Sequence, residues 1–290
     1  METERIREHM RAEFTVHAPS YAVPRLGAAV WPFYERLIAL ARIQAGQRVL
    51  DLACGTGTST SPILERVGSA GFVLGLDLTA AMVEIAQQWA EREHIQQVAF
   101  RVIENEMQLN LAEDDFDAAI CAFGLMYMPD PVKALQAMLQ VLKPQGRIAV
   151  STWASLDRCS FLDIPLHIAR RHLASPLLDP YSPNPVALPT QAMLERVLAA
   201  AGLTELEIET VPFSFELETP EDCWRRVLVT GWPLVTALPS LSEEDVQALH
   251  DDAIQTLSAM FPEGRIYLAG EAIVAAGTSA DETSKGILHA

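Results

Sequence analysis

The sequence predicts a doubly wound α/β fold, and three observations predict it. Strand-like and helix-like segments alternate five times over roughly 105 residues from position 48. The strand-like runs are apolar along their length, as parallel strands covered by helices on both faces must be. The first run ends in a glycine-containing turn that opens into a helix, the place where such sheets receive ligands.

In chain order, residues 2–14 are polar and helix-compatible, and HAPS at 17–20 breaks that pattern. VWPFYERLIALARI (30–43) spaces its apolar residues as a helix does, with Gly46 ending it. RVLDLAC from Arg48 is the first strand and SPILERV the helix after it. FVLGLDL (72–78) is the second strand, followed by the helix TAAMVEIAQQWAERE with Thr79 as its N-cap. VAFRVIEN (98–105) and FDAAICAFG (116–124) are the third and fourth strands. DPVKALQAMLQVLKP is an amphipathic helix stopped by Pro144, and GRIAVSTW (146–153) is the fifth strand. Residues 155–189 read as irregular, being rich in Pro, His and aromatic residues. TQAMLERVLAAAG is a helix ending at Gly202, and LTELEIETVPFSFELE (203–218) alternates like a long strand. TPEDCWRRVLV and SEEDVQALHDDAIQTLSAMF read as helices, the second capped by Ser242 with Glu243 and Glu244 in its first turn. RIYLAGEAIVAAG (265–277) is the last strand, and residues 278–290 read as a disordered tail.

Charge narrows the function. The 290 residues carry 21 Lys and Arg against 38 Asp and Glu, a net charge of −17. Gripping nucleic acid requires clustered basic residues that displace counterions from phosphate, so a nucleic-acid partner is not expected. The charged start, METERIREHMRAEF, lacks the apolar core of a secretory signal, and no run approaches the ~18 apolar residues of a membrane span. Cys54, Cys121, Cys159 and Cys223 are scattered without a CxxC pair, so neither a disulfide framework nor a zinc site is expected. His167 and His172, five apart, do not share a helix face, which also argues against a metal pair. The expectation is a reduced, cytoplasmic protein without a metal.

The turn after the first strand reads Asp51-Leu52-Ala53-Cys54-Gly55-Thr56-Gly57-Thr58. Its glycines allow close backbone approach and expose amides at a helix N-terminus. Asp77, at the end of the second strand, can accept both hydroxyls of a ribose. An adenosine-like ligand across the strand ends follows. A dinucleotide fits less well, because GxGxxG is incomplete and Asp51 would repel a pyrophosphate but attract a sulfonium bearing an α-amino group.

DLACGTGT resembles the first motif of class I S-adenosylmethionine-dependent methyltransferases, with Ala53 at the first glycine position and Gly55 and Gly57 at the others. GLDLTAAMVEIA resembles their second motif. Asn105-Glu106-Met107-Gln108-Leu109 resembles the Asp-Ala-Glu-x-Leu segment, without its usual proline. CAFGLMYMPDPVKALQAMLQVLKPQGRIAV resembles the ubiquinone/menaquinone C-methyltransferase-like small-molecule group, and HAPSY (17–21) the segment that closes over the cofactor. The resemblance implies a Rossmann-like, seven-stranded sheet whose last strand is antiparallel, with helical cap insertions. Residues 1–45 would close over the cofactor and 46–154 would bind it. Residues 155–189 would be a cap segment. Residues 190–277 would complete the sheet, with a second cap insertion at 219–262.

The cofactor implied is S-adenosyl-L-methionine. For its binding the resemblance implies Tyr21, Asp51, Ala53, Gly55, Thr56, Gly57 and Thr58. It further implies Asp77 at the ribose, Met82 at the adenine, Asn105 receiving the adenine amino group, Ala122, Phe123 and Gly124 along the cofactor, and Leu78, Glu106 and Met107 among the cofactor-binding residues. Leu125 to Met128 would face the substrate. Tyr127, Phe161, His167, Tyr181, Trp224 and Trp232 are the substrate-pocket candidates, and His17 and His167 the histidines that could serve as a base. The implied activity is methyl transfer to carbon or oxygen of a small, largely apolar acceptor. A non-catalytic S-adenosylmethionine-binding module and a nicotinamide-dependent reductase are the alternatives.

Overall fold

The computed structural model describes residues 2–21, 30–113, 115–173, 181, 183–229, 231 and 234–279. Among them one seven-stranded sheet forms from β1 (Arg48–Leu52), β2 (Phe72–Asp77), β3 (Val98–Val102), β4 (Phe116–Ala122), β5 (Leu142–Trp153), β6 (Thr204–Leu217) and β7 (Ile266–Thr278). The strand order is β3-β2-β1-β4-β5-β7-β6. β1 to β5 are mutually parallel, and β7 runs antiparallel to both β5 and β6. The doubly wound sheet and its antiparallel last strand are therefore present as expected.

The central strands are as dry as their sequences require. Val49, Leu50, Ala119 and Val150 have no exposed surface. α3 (Thr60–Val67) packs on β1 and β2, α4 (Ala80–Arg92) on β2 and β3, and α5 (Pro131–Val141) on β5. α7 (Gln191–Ala201) covers β6 and β7; Thr190 caps its start by accepting from Met193 N–H, and Gly202 ends it in the left-handed conformation. Arg147, 4 % exposed, ties the far side of the sheet together. It donates to the Leu40 carbonyl at the end of α2 (Trp31–Leu40), to Thr278 Oγ1 on β7 and to Glu207 Oε1 on β6.

Several boundaries depart from the sequence reading. α1 (Glu2–Tyr21) runs through HAPS, with Pro19 inside it. Pro19 removes one N–H only near the helix end, where burial of His17 and Ala18 holds the last turn. α2 stops at Leu40, and Gly46 (φ +82°) instead shapes the turn into β1. α5 ends at Val141, before Pro144, because Leu142 is already extended. Thr79 stands at the N-cap of α4 without a side-chain cap bond.

The segment 155–189 contains a full helix, α6 (Ser160–His172), despite Pro165. Phe161, Leu162, Ile164, Leu166, Ile168 and Ala169 are its buried stripe, broken to the eye by Pro and His. In 219–262, α8 (Pro220–Cys223) runs into a π-helical turn at Trp224–Leu228, followed by α9 (Leu234–Ala237) and α10 (Glu243–Met260). Arg171 and His172 on α6 both bond to Asp252 on α10 at 2.8 and 2.7 Å. Thr278 and Ser279, read as the start of a disordered tail, are buried, and Ser279 N–H donates to the Gly146 carbonyl. Residues 280–290 lie outside the described residues.

Replacing Arg147 by Met strands the buried Leu40 carbonyl. It is expected to lower stability in urea denaturation by about 1–3 kcal/mol, and an unchanged midpoint would exclude the guanidinium as the tie.

Candidate active site

The strand order reverses between β1 and β4, so the loops leaving their carboxyl ends diverge and leave a crevice. The chain after β1 turns sharply there. Ala53, Gly55 and Gly57 have φ of +60°, +54° and +89°. For Gly55 and Gly57 this conformation costs little, whereas Ala53 bears the strain of a side chain there.

Two buried carboxylates brace the turn. Asp51 is fully buried, and its Oδ2 accepts from Ser59 Oγ at 2.8 Å and Thr60 Oγ1 at 2.6 Å. Its Oδ1 is buried with no hydrogen-bond partner among the described residues. Burial pushes the Asp51 carboxyl up to about 6, against the opposing pull of the two hydroxyls, and the nearby Asp77 charge adds to the rise. Asp77 Oδ2 accepts from Gly55 N–H at 2.9 Å and Oδ1 from Thr79 N–H at 2.8 Å. Its carboxyl is also raised, chiefly by burial.

The loop after β4 meets this turn directly. A Cβ on Gly124 would lie 2.5 Å from that of Ala53, so only glycine fits. Phe123, at φ +55°, swings its ring onto Trp153, with centroids 4.0 Å apart and planes 21° from parallel. Phe161 of α6 meets Trp153 edge-on at 4.8 Å.

Over these strand ends lies a cavity of about 280 Å³. Ala53, Gly55, Thr56, Asp77, Leu78 and Met82 line one part of it, and Phe123, Tyr127, Trp153, Phe161, Leu162 and Val227 another. Helix α1 contributes Met10, Phe14 and Tyr21. It is fastened by a buried ion pair: Arg7 Nε and Nη2 each donate to Glu106 at 2.9 Å, with side chains 5 % and 1 % exposed. Thr56 Oγ1 donates to the Tyr21 carbonyl, joining the end of α1 to the turn after β1.

The candidates read from the sequence fall into two sets. Tyr21, Ala53, Gly55, Thr56, Thr58, Asp77, Leu78, Met82, Glu106, Ala122, Phe123, Gly124, Tyr127 and Phe161 line the cavity. Asp51 lies beneath it, acting through Ser59, which does line it. Gly57 serves packing instead: a Cβ there would meet the Trp89 ring at 3.1 Å.

Asn105 is not turned to a ligand, because its Oδ1 already accepts from Met107 N–H and Arg7 Nη2. Met107 is thereby held beside it and does not line the cavity. His17 is buried within α1 against Phe14, outside the lining, and His167 is on the exposed face of α6, its neighbours 166 and 168 taking the buried stripe. Tyr181 packs on α1, with the Arg5 guanidinium 4.1 Å above its ring. Trp224 is buried edge-on against His250, and Leu125 and Met126 belong to the core. Trp232 lies outside the described residues.

Sequence reasoning missed Phe14, Tyr34, Trp153 and Arg226, all in the lining. Tyr34 had only its place on a predicted helix to mark it. Burial pushes its hydroxyl, and that of Tyr127, well above the usual tyrosine range.

Residues 43–172 match the family profile described as a methyltransferase domain. The demethylmenaquinone methyltransferase of Oceanobacillus iheyensis is 38% identical over 106 residues, 37% of this chain and 44% of that protein. Aklanonic acid methyltransferase DauC of a Streptomyces species is 32% identical over 129 residues, 44% of this chain and 58% of that protein. The chain thus spans about half the length of these curated relatives. The resemblance to the demethylmenaquinone methyltransferase of O. iheyensis covers 37% of the chain. Among solved structures, YcgJ of Bacillus subtilis superposes with a TM-score of 0.54 at 19% identity, over 86% of this chain and 98% of that one. That likeness is of the fold alone, and it reaches beyond residues 43–172.

Two outcomes follow from the buried charges. Arg7→Met leaves Glu106 buried and unpaired, an expected loss of about 3–5 kcal/mol in urea denaturation that Arg7→Met with Glu106→Leu should largely restore. An equal loss in both proteins would show that packing, not charge, holds α1. For Asp51 the folded protein holds its proton to about pH 6, against 3.8 for an unperturbed carboxyl. The unfolded chain therefore releases that proton first as pH rises. Its contribution to stability is full below pH 4 and lost as pH climbs through about 6. Relative to Asp51→Asn, the wild type should lose on the order of 2–3 kcal/mol between pH 4 and 7.5, and parallel stability curves would contradict the shift.

Proposed function

We propose that the chain binds S-adenosyl-L-methionine in this cavity and methylates carbon or oxygen of a small, largely apolar acceptor. The observation that carries this reading is the junction, in one cavity, of Asp77 and the Gly55 turn with a chamber walled by Phe123, Tyr127, Trp153 and Phe161.

The residues present suit that cofactor. Each Asp77 oxygen accepts one backbone N–H and keeps capacity for a ribose hydroxyl. Leu78, Met82 and Ile103 offer apolar walls for a base. Asp51, with its unpartnered Oδ1 behind Ser59, supplies negative charge at the end where an α-amino group and a sulfonium would lie. The cofactor supplies a methyl group already activated on a sulfonium. The chain's own task is alignment and exclusion of water. Met10, Phe14 and Tyr21 of α1 add wall to the cavity on one side, and the aromatic chamber would hold an acceptor in register.

Neither His17 nor His167 reaches the cavity, so we assign no base; an ionisable oxygen or electron-rich carbon needs none. The uncollapsed chamber supports an enzyme over a binding module, and the Asp51 carboxylate at the turn disfavours a pyrophosphate-bearing nicotinamide cofactor. The net charge of −17 supports a small acceptor over nucleic acid. Among the described residues no helix is long and apolar enough to cross a membrane. Together with the four buried, unbridged cysteines this supports the cytoplasm as the compartment.

Labelled cofactor incubated with the protein and cell extract should yield a small product heavier by one methyl. Asp77→Ala is expected to weaken S-adenosylhomocysteine by about 1.5–3 kcal/mol in calorimetric titration, the range for charged hydrogen bonds. Unchanged affinity would remove Asp77 from the ribose, and no binding to the wild type would end the cofactor reading.

A further inference from the structure

The hydroxyl protons around the Asp51 end of the cavity can be followed to their takers. Ser59 Oγ and Thr60 Oγ1 donate to Asp51 Oδ2. Thr56 Oγ1 donates to the Tyr21 carbonyl, so Thr58 Oγ1, 3.4 Å from Thr56 Oγ1, is the donor of that second pair. Tyr34 differs from all four. Its hydroxyl makes no hydrogen bond among the described residues, and it is not sealed in protein as Asp51 Oδ1 is. It therefore opens on the cavity that its ring lines.

Helix α2 holds that ring at the wall. Its residues Phe33, Leu37, Ile38 and Leu40 are buried, and the Phe33 ring stands edge-on to Phe123, Trp153 and Phe213. Val30 and Tyr34, one helical turn apart, reach the cavity. The helix packs on α3, which Ser59 precedes. Burial, and after it the nearby Asp51 charge, raises the Tyr34 hydroxyl and keeps it protonated. A neutral phenol beside a carboxylate is a donor waiting for an oxygen. Among the described residues the lining holds one basic side chain, Arg226, and that is paired with Asp222.

We propose that Tyr34 donates its hydroxyl proton to the α-carboxylate at the amino-acid end of the cofactor, while Asp51 faces the α-ammonium. This rests on the reading of the cavity as the S-adenosyl-L-methionine site. A zwitterion set between an anion and a neutral donor is met at both of its charges. A guanidinium in the place of Tyr34 would hold the carboxylate as well, but would set a second positive charge near the sulfonium. The phenol holds it without that repulsion.

The test is calorimetric titration of two ligands, S-adenosylhomocysteine and decarboxylated S-adenosylhomocysteine, which keeps the ammonium and lacks the carboxylate. The wild type should bind S-adenosylhomocysteine the more tightly. Tyr34→Phe should weaken it about ten-fold or more, as befits the loss of a hydrogen bond to a charged group. The same substitution should move the decarboxylated ligand by less than about two-fold, which also reports that the variant is folded and its cavity intact. Equal binding of both ligands by the wild type, equal weakening of both in Tyr34→Phe, or an unchanged affinity of that variant for S-adenosylhomocysteine would overturn the proposal. Failure of the wild type to bind S-adenosylhomocysteine would instead overturn the cofactor reading, so the two failures are distinct.

Discussion

Where β1 and β4 end, two loops pass so close that a single added methyl would not fit between Gly124 and Ala53. The parallel register of the strands beneath, Val49 against Ala118 and Asp51 against Ile120, leaves them no room to separate. Both loops therefore leave the sheet through left-handed residues, Ala53 and Phe123, a strain that the hydrogen-bonded strands sustain. From that contact follow the outward amides of the Gly55 turn, the placement of Asp77 against Gly55 N–H and the stacking of Phe123 on Trp153. The Asp77 side and the Trp153 side of the cavity thus meet at one tight junction.

Burying carboxylates at such a junction is costly unless donors or cations meet them. Three solutions coexist here. Asp77 takes backbone N–H groups, Asp51 takes hydroxyls and remains partly unanswered, and Glu106 takes a guanidinium from the far end of the chain. The last of these turns an electrostatic need into architecture, because the Arg7–Glu106 pair holds α1, and with it Met10, Phe14 and Tyr21, against the cavity.

The sheet was legible because strand burial leaves an apolar run in the sequence and helices interrupt it at regular spacing. The turn from Asp51 to Thr58, with Asp77, was legible because few chemistries require those residue types at those positions. What escaped depended on partners distant in sequence. Asn105 looks available until Arg7, 98 residues away, is seen to occupy it. Tyr34 sits on an ordinary amphipathic helix and becomes a wall residue only when that helix docks beside Tyr21 and Asp51. α6 was hidden because Pro165 and two histidines obscure a good apolar stripe, and Trp224 looked like a pocket residue although its ring faces His250 on α10. Aromatic identity announces burial; it does not say in which of two adjacent apolar spaces.

β6 and β7 pair along their whole length, and their ends, Leu217 and Ile266, face each other directly. Everything between them, including the turn that carries Arg226, leaves and rejoins the sheet at one hairpin tip. Such a segment can lengthen, shorten or be exchanged without shifting a single strand register or disturbing the loops at the β1–β4 junction. The topology thereby sets a junction in which one added methyl does not fit apart from an insertion that the strand pairing leaves unconstrained.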